Sequence, residues 1–227
     1  MTAIPATDLF GSFAQRIADS QPDQPFCLGL FGGTFDPVHH GHLLLAQSAY
    51  EQYQLDGVLF IPTGLPAWKL SQHTSSPTLR LQLLQMALAG DQRFAISQAE
   101  TSRPGVSYTI DTLQEMQAAA AGRARFFFIV GADSLVDMPG WKQAEEIADL
   151  VQVLYSRRPG TGSGARTRSS LSPKARFDIS PIDMPMLKIS SSALRQRAAA
   201  GLTLRYQVPL DVADFIQKNR IYCQNMP

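Results

Sequence analysis

Phe26-Cys27-Leu28-Gly29-Leu30-Phe31 runs directly into Gly32-Gly33-Thr34-Phe35-Asp36-Pro37-Val38-His39-His40-Gly41-His42. The first stretch is continuously apolar, which suits a strand buried on both faces, as in a parallel sheet. The second begins with two glycines, where no Cβ keeps backbone away from a ligand. Asp36-Pro37 is a turn former. Gly41 then opens a helical pattern over about 42–54, with Leu43, Ala46, Tyr50 and Tyr53 repeating along one side. Strand, Gly-rich turn and helix start together place a ligand site at the carboxyl end of the strand. The helix N-terminus at that point carries unpaired N–H groups and partial positive charge, which suits phosphate.

The alternation continues outward from this unit. Residues 58–61 read as a strand stopped by Pro62. Ser76 and Pro77 read as the cap and first position of a helix with Leu79, Leu83, Met86 and Ala87 on one face, ended by Gly90. Residues 94–96 are a strand, and Ser107 is expected to cap a helix carrying Ile110, Leu113 and Met116, stopped by Gly122. Phe126 to Val130 is the clearest strand, followed by a helix around 141–149 and a strand at 151–155. Ser190 caps a further helix that Gly201 stops, and Pro209 opens the last. Strands and helices alternating through short connections imply right-handed crossovers. The predicted fold class is α/β, a doubly wound parallel sheet with C-terminal helices. Residues 1–25 read as a short appendage in which Thr7 or Asp8 caps a helix bearing Phe10, Phe13, Ala14 and Ile17. Residues 26–227 are expected to form a single domain.

The chain has 227 residues with 20 Lys+Arg against 19 Asp+Glu. So even a balance argues against a domain that coats nucleic acid. No apolar run approaches the ~18 residues of a membrane span, so neither nucleic acid nor membrane is an expected partner. Two cysteines, Cys27 and Cys223, exclude a disulfide scaffold and fit a reducing compartment. The first 25 residues hold Asp8, Asp19 and Asp23 and no sustained apolar stretch, so the cytosol is expected. Three of the four histidines fall at positions 39, 40 and 42. As a zinc site, His39 and His42 lack an intervening Glu and a nearby third ligand, so no metal ligands are expected. The loop lacks G-x-G-x-x-G, and no G-x-x-x-x-G-K-[ST] occurs in the chain. The two histidines can instead point at one bound anion. Residues 157–176 hold Arg157, Arg158, Arg166, Arg168, Lys174 and Arg176 with no acidic residue. They read either as a solvated flexible loop or as a mobile loop near a polyphosphate.

Gly32 to His42 resembles the first signature of the adenine-nucleotidyltransferase superfamily, whose loop ends in H-x-G-H. Ser107-Tyr108-Thr109-Ile110-Asp111-Thr112-Leu113 is similar to the S-Y-T-x-x-T-L segment of bacterial nicotinate-mononucleotide adenylyltransferases. Gly131-Ala132-Asp133-Ser134-Leu135 with Pro139 and Trp141 resembles that family's G-x-D-S-L…W block, and Arg157-Arg158-Pro159-Gly160 its R-R-P-G turn. Ile189-Ser190-Ser191-Ser192-Ala193-Leu194-Arg195 resembles its I-S-S-T-x-I-R signature. Pantetheine-phosphate adenylyltransferases share the first signature but are not expected to carry the middle blocks.

The resemblance implies a Rossmann-like nucleotidyltransferase fold. It also implies transfer of the adenylyl group of ATP to nicotinate mononucleotide, giving nicotinate adenine dinucleotide and pyrophosphate in NAD biosynthesis. The acceptor phosphate has a second pKa of about 6 and is already largely dianionic at neutral pH, so positioning and electrostatics should dominate catalysis. By resemblance His39, His42 and Arg195 are catalytic. The ATP site comprises Gly32, Gly33, Thr34, Phe35, His39, His42, Gly131, Asp133, Ser190, Ser191, Ser192 and Arg195. The mononucleotide site comprises Lys69, Tyr108, Thr109, Trp141 and Lys142. Asp133 reads as a ribose acceptor, a helix N-cap or both, and Trp141 as a pyridine stacker or a core residue. Mg²⁺ is expected to arrive with ATP. Pro66-Ala67-Trp68-Lys69 departs from the family's P-P-H-K, so the role of that histidine does not carry over to Trp68. Alternatives are an amide or other phosphate acceptor, or a non-catalytic nucleotide-binding module, against which the intact His39, His42 and Arg195 weigh. A homo-oligomer is compatible with the sequence.

Overall fold

The computed structural model describes residues 4–66, 74–156, 167–169 and 176–223. In chain order come α1 (Ala6–Phe10), α2 (Ala14–Asp19), β1 (Phe26–Gly33), α3 (His40–Gln52), β2 (Gly57–Pro62) and β3 (Leu65–Pro66). Next are α4 (Pro77–Leu88), β4 (Phe94–Ile96), β5 (Val106–Ser107), α5 (Thr109–Ala120), β6 (Ala124–Val130) and α6 (Ala132–Asp137). The chain closes with α7 (Ala144–Leu150), β7 (Gln152–Ser156), β8 (Thr167–Ser169), β9 (Phe177–Ile182), α8 (Ser191–Ala199) and α9 (Leu210–Lys218).

The main sheet has the order β4-β2-β1-β6-β7-β9-β8, parallel throughout except for the β8–β9 pair. This is the doubly wound α/β sheet expected from the alternation. From β1 the chain builds outward through β2 to β4, returns to β6 on the other flank of β1, and builds outward again. The order therefore reverses between β1 and β6, and the crevice of an open α/β sheet lies at the carboxyl ends of those two strands. Both faces of β1 are covered, with Leu28 and Leu30 in one apolar cluster and Phe31 in the other. No helix among the described residues is long and apolar enough to cross a membrane.

The segment expected to be an appendage is, over residues 4–20, part of the core. Leu9, Phe10, Phe13 and Ile17 are buried in the same cluster as β1 and β6. Phe13 lies on Gly57, where a Cβ would come within 2.4 Å of its ring, so the β2 start must be glycine for the ring to seat. Gln98 N–H and Ser97 Oγ both donate to the Asp8 carbonyl and tie this segment to the end of β4. Phe13→Ala should cost about 3–5 kcal/mol, the usual loss for a buried aromatic. Denaturant unfolding measures it, and a loss below ~1 kcal/mol would mark the segment as dispensable.

Three local expectations change. Tyr108, not Ser107, is the N-cap of α5. Ser107 pairs with Pro66 in the small β3–β5 ladder, which moves the cap one residue on. The helix expected around 141–149 is α7, which starts later, at Ala144. Gly131 caps α6 directly after β6, a 3₁₀ turn with Pro139 follows, and Trp141 sits in the gap before α7. On α4 the buried positions are Arg80, Leu83, Leu84 and Leu88, so the helix is rotated from the predicted face and turns a cation inward.

Candidate active site

The loop leaving β1 divides the site in two. On one side Gly32, Gly33 and Thr34 face Tyr108 and Thr109 at the start of α5, and Gly131, Trp141 and Lys142 from the segment after β6, around a cavity of about 680 Å³. Predicted residues from three distant stretches thus share one wall. The β3–β5 ladder sets the entry to α5, and Thr63 N–H donates to the Gly33 carbonyl, locking the β2 end to the β1 loop. Trp141 is half-buried and meets the Phe128 ring edge-on, with centroids 6.0 Å apart. Lys142 Nζ lies 2.9 Å from Asp111 Oδ1 and 4.4 Å over the Tyr108 ring. Gly33 also serves the loop itself, because a Cβ there would stand 2.9 Å from the Phe35 ring.

His39 and His42 are not in that wall but lie further along the same loop, at the N-terminus of α3. His39 is the N-cap, with extended backbone. Their rings stack with centroids 3.7 Å apart, and Phe31 and Phe35 meet the His42 ring edge-on at 6.0 and 5.0 Å. Phe35 is fully buried, which leaves only its backbone for a ligand. Burial lowers His39 to about 4, helped by the neighbouring His40. Burial, with His39 beside it, also pushes His42 well below the ordinary imidazole value. Both rings are therefore neutral at physiological pH. His39 N–H donates to His42 Nδ1 at 3.2 Å, so the neutral ring carries its proton on Nε2. His39 Nδ1 is buried without a hydrogen-bond partner among the described residues.

The α8 N-terminus docks on this loop. Ser190 caps α8 by accepting from Ala193 N–H, and Ser191 Oγ donates to the Pro37 carbonyl at 2.9 Å. Arg195 Nη1 donates to the Asp36 carbonyl at 2.7 Å, and its Nη2 reaches Ser192 Oγ at 3.3 Å. Two helix N-termini and an arginine thus converge where the histidines stand. Such a place is suited to phosphate. Asp133 falls in the first turn of α6, after the Gly131 cap. Lys69, Trp68, the Arg157-Arg158 turn and most of the basic 157–176 stretch lie outside the described residues. Among the described residues no three His, Cys, Asp or Glu side chains group closely enough to hold a metal ion.

The sequence reading missed the groups that brace this loop. Asp36 is buried, and its carboxylate accepts from Ser75 N–H at 3.0 Å and from the Tyr222 hydroxyl at 2.7 Å. Arg80 is 1% exposed. It donates to the carbonyls of Ser75, Thr34, Thr63 and Gly64 at 3.1, 2.9, 2.7 and 3.3 Å. One guanidinium therefore holds the β1 loop, the β2 loop and the approach to α4 together. A signal for it existed, since Arg80 is in phase with Leu83, Leu84 and Leu88 on the apolar face. Asp36 and Tyr222 meet only through the tertiary fold.

Residues 30–197 match the family model described as cytidylyltransferase-like. A "probable nicotinate-nucleotide adenylyltransferase" of Thermomicrobium roseum is 40% identical over 195 residues, covering 86% of this chain and 91% of its own. One from Exiguobacterium sibiricum is 41% identical over 195 residues, covering 86% and 98%. Among solved structures, the Plasmodium falciparum nicotinic acid mononucleotide adenylyltransferase complexed with NaAD superposes with a TM-score of 0.68 at 16% identity, over 86% of this chain and 97% of that one. That likeness speaks for the fold, while the sequence matches speak for kinship. Two neutral histidines at a helix N-terminus, a second helix N-terminus beside them and an aromatic cavity on one shared loop fit those matches, and the chain belongs to the cytidylyltransferase-like family and, within it, to the nicotinate-nucleotide adenylyltransferases.

Proposed function

We propose that the two halves of the site hold the two substrates of adenylyl transfer, nicotinate mononucleotide in the cavity and the ATP triphosphate at the histidines. An oxygen of the mononucleotide phosphate attacks the α-phosphorus of ATP. The new P–O bond forms as the bond to the β-phosphate bridging oxygen breaks, and pyrophosphate leaves with the electron pair. The observation that carries the reading is the β1 loop, which lines the cavity with Gly32, Gly33 and Thr34 and ends at His39 and His42. His42 Nε2–H serves as a neutral donor to a phosphate oxygen. Arg195 and the N–H groups at Ser190 to Ser192 take charge that builds on the departing pyrophosphate. Mg²⁺ enters as part of the ATP substrate. Lys69 belongs with the mononucleotide phosphate, and the cytosol, where Cys27 and Cys223 stay as free thiols, suits the reaction.

The pyridine ring packs on Trp141, and its carboxylate meets backbone N–H groups near Tyr108 and Thr109 and near Trp141 and Lys142. Tyr108 provides no side-chain cap to α5, so the first-turn N–H groups are open to a ligand. An amide in place of the carboxylate would set its own N–H₂ against those donors. Pyrophosphate release from ATP should therefore be at least about tenfold more efficient with the acid mononucleotide than with the amide, by kcat/KM. Equal efficiency would overturn the acceptor assignment, and no turnover with either would favour a binding module.

A further inference from the structure

The cavity contains an acid that adenylyl transfer does not use. Glu100 lies between β4 and β5, is 8% exposed, and lines the wall with Ser107 and Thr112. Its Oε1 accepts from Thr112 Oγ1 at 3.1 Å, one turn along α5 from Thr109, and the Gly64 N–H bonds to the same carboxyl. No ion pair reaches it among the described residues. Arg103 directs its guanidinium to Thr112 Oγ1, at 3.2 Å, and to Glu115. Arg80 gives its donors to carbonyls. Ser107 Oγ, in the same wall, is buried with no hydrogen-bond partner among the described residues.

Among the described residues the other charges around the cavity are few. Lys142 and Asp111 neutralise each other at the first turn of α5, and Asp137 comes from α6. Burial pushes the Glu100 carboxyl up to about 7, against the pull of the Thr112 and Gly64 hydrogen bonds and of the Arg103 and Arg80 charges. A second carboxylate brought into this cavity disfavours ionisation of the first.

We infer that Glu100 is a specificity-determining residue for the pyridine: uncharged it admits the carboxylate-bearing ring, ionised it repels it, so acid mononucleotide binds with uptake of a proton at Glu100. The inference rests on nicotinate mononucleotide occupying this cavity. The proton comes from solvent and stays on the Glu100 carboxyl while the ring is bound. The sign is fixed: preference for the acid over the amide is fullest below the Glu100 value and declines as pH rises through it. The amide, with the same phosphate but no carboxylate, supplies the control.

Calorimetry of each mononucleotide binding to the full chain at pH 7, in buffers of different ionisation enthalpy, reads the proton directly. The acid should take up as much as about half a proton more than the amide, because a group of pKa near 7 is half ionised there. The acid-to-amide ratio of kcat/KM should fall on the order of tenfold between pH 6 and 8.5, the scale of a like-charge repulsion inside one site. In Glu100→Gln both the extra uptake and the slope of the ratio should vanish. Equal proton uptake with the two mononucleotides in the unaltered protein overturns the inference without any variant. So does a Glu100→Gln variant that keeps the slope. If the acid mononucleotide neither binds nor turns over, the functional reading fails and this inference with it. That result is distinct from binding without a proton.

Discussion

His42→Ala should lower kcat by about 10²–10³-fold, the loss seen when one preorganised donor to developing charge is removed. The ring is neutral, and the His39 N–H on its Nδ1 leaves Nε2–H as the free donor. On the proposed mechanism its contribution is a positioned dipole, not proton transfer. Because Phe31, Phe35 and His39 all pack on the ring, alanine also opens a void. His42→Phe separates the two effects, since it keeps an aromatic ring in place and loses the donor. Both variants should be comparably slow, with His42→Phe closer to the parent in thermal stability. Single-turnover formation of the dinucleotide measures the step. A His42→Phe protein with near-normal turnover would remove the donor from the mechanism.

The second large effect belongs to Arg80. Arg80→Met should cost about 3–5 kcal/mol, the range for breaking a buried charged network by removing one partner. For a chain of this length that is a fall of about 10 °C in midpoint. The reason is specific: the part-buried carbonyls of Thr34, Thr63, Gly64 and Ser75 would each lose a charged donor. Because these carbonyls sit on the loops around both halves of the site, kcat/KM should fall for ATP and for the mononucleotide together. Arg80→Lys should recover only part of either, since one ammonium cannot match a fork that spans three segments. An Arg80→Met protein within ~1 kcal/mol of the parent by denaturant unfolding would refute the bracing role.

Much of this was legible along the chain. Apolar runs at 26–31 and 126–130, separated by helical periods and short turns, state a buried parallel sheet because only strands covered on both faces can be apolar at every position. Gly32 to His42 already read as a loop suited to phosphate through residue chemistry alone. Where the reading slipped, a tertiary contact outweighed a local preference. Ser107 is a good cap by type, but strand pairing with Pro66 drew it into a ladder. Residues 4–20 looked detachable because their short helix says nothing of where it packs. Gly57 makes the seat for Phe13 from far along the chain. Glu100 carries no local sign of its surroundings, and the phase of Arg80 on its helix does not say which loops it will reach.

The sequence by itself determined the sheet, the order of its elements and two helix N-termini suited to phosphate, because periodicity, turn chemistry and capping act within a few residues of each other. The tertiary structure alone decided the state of the site. Packing lowered His39 and His42 well below the ordinary imidazole value, the fold brought Tyr222 to Asp36 and Arg80 to three loops, and closure of the cavity raised the Glu100 carboxyl to about 7. Each of those is a matter of desolvation or of partners distant in sequence, and neither exists until the chain has closed around them.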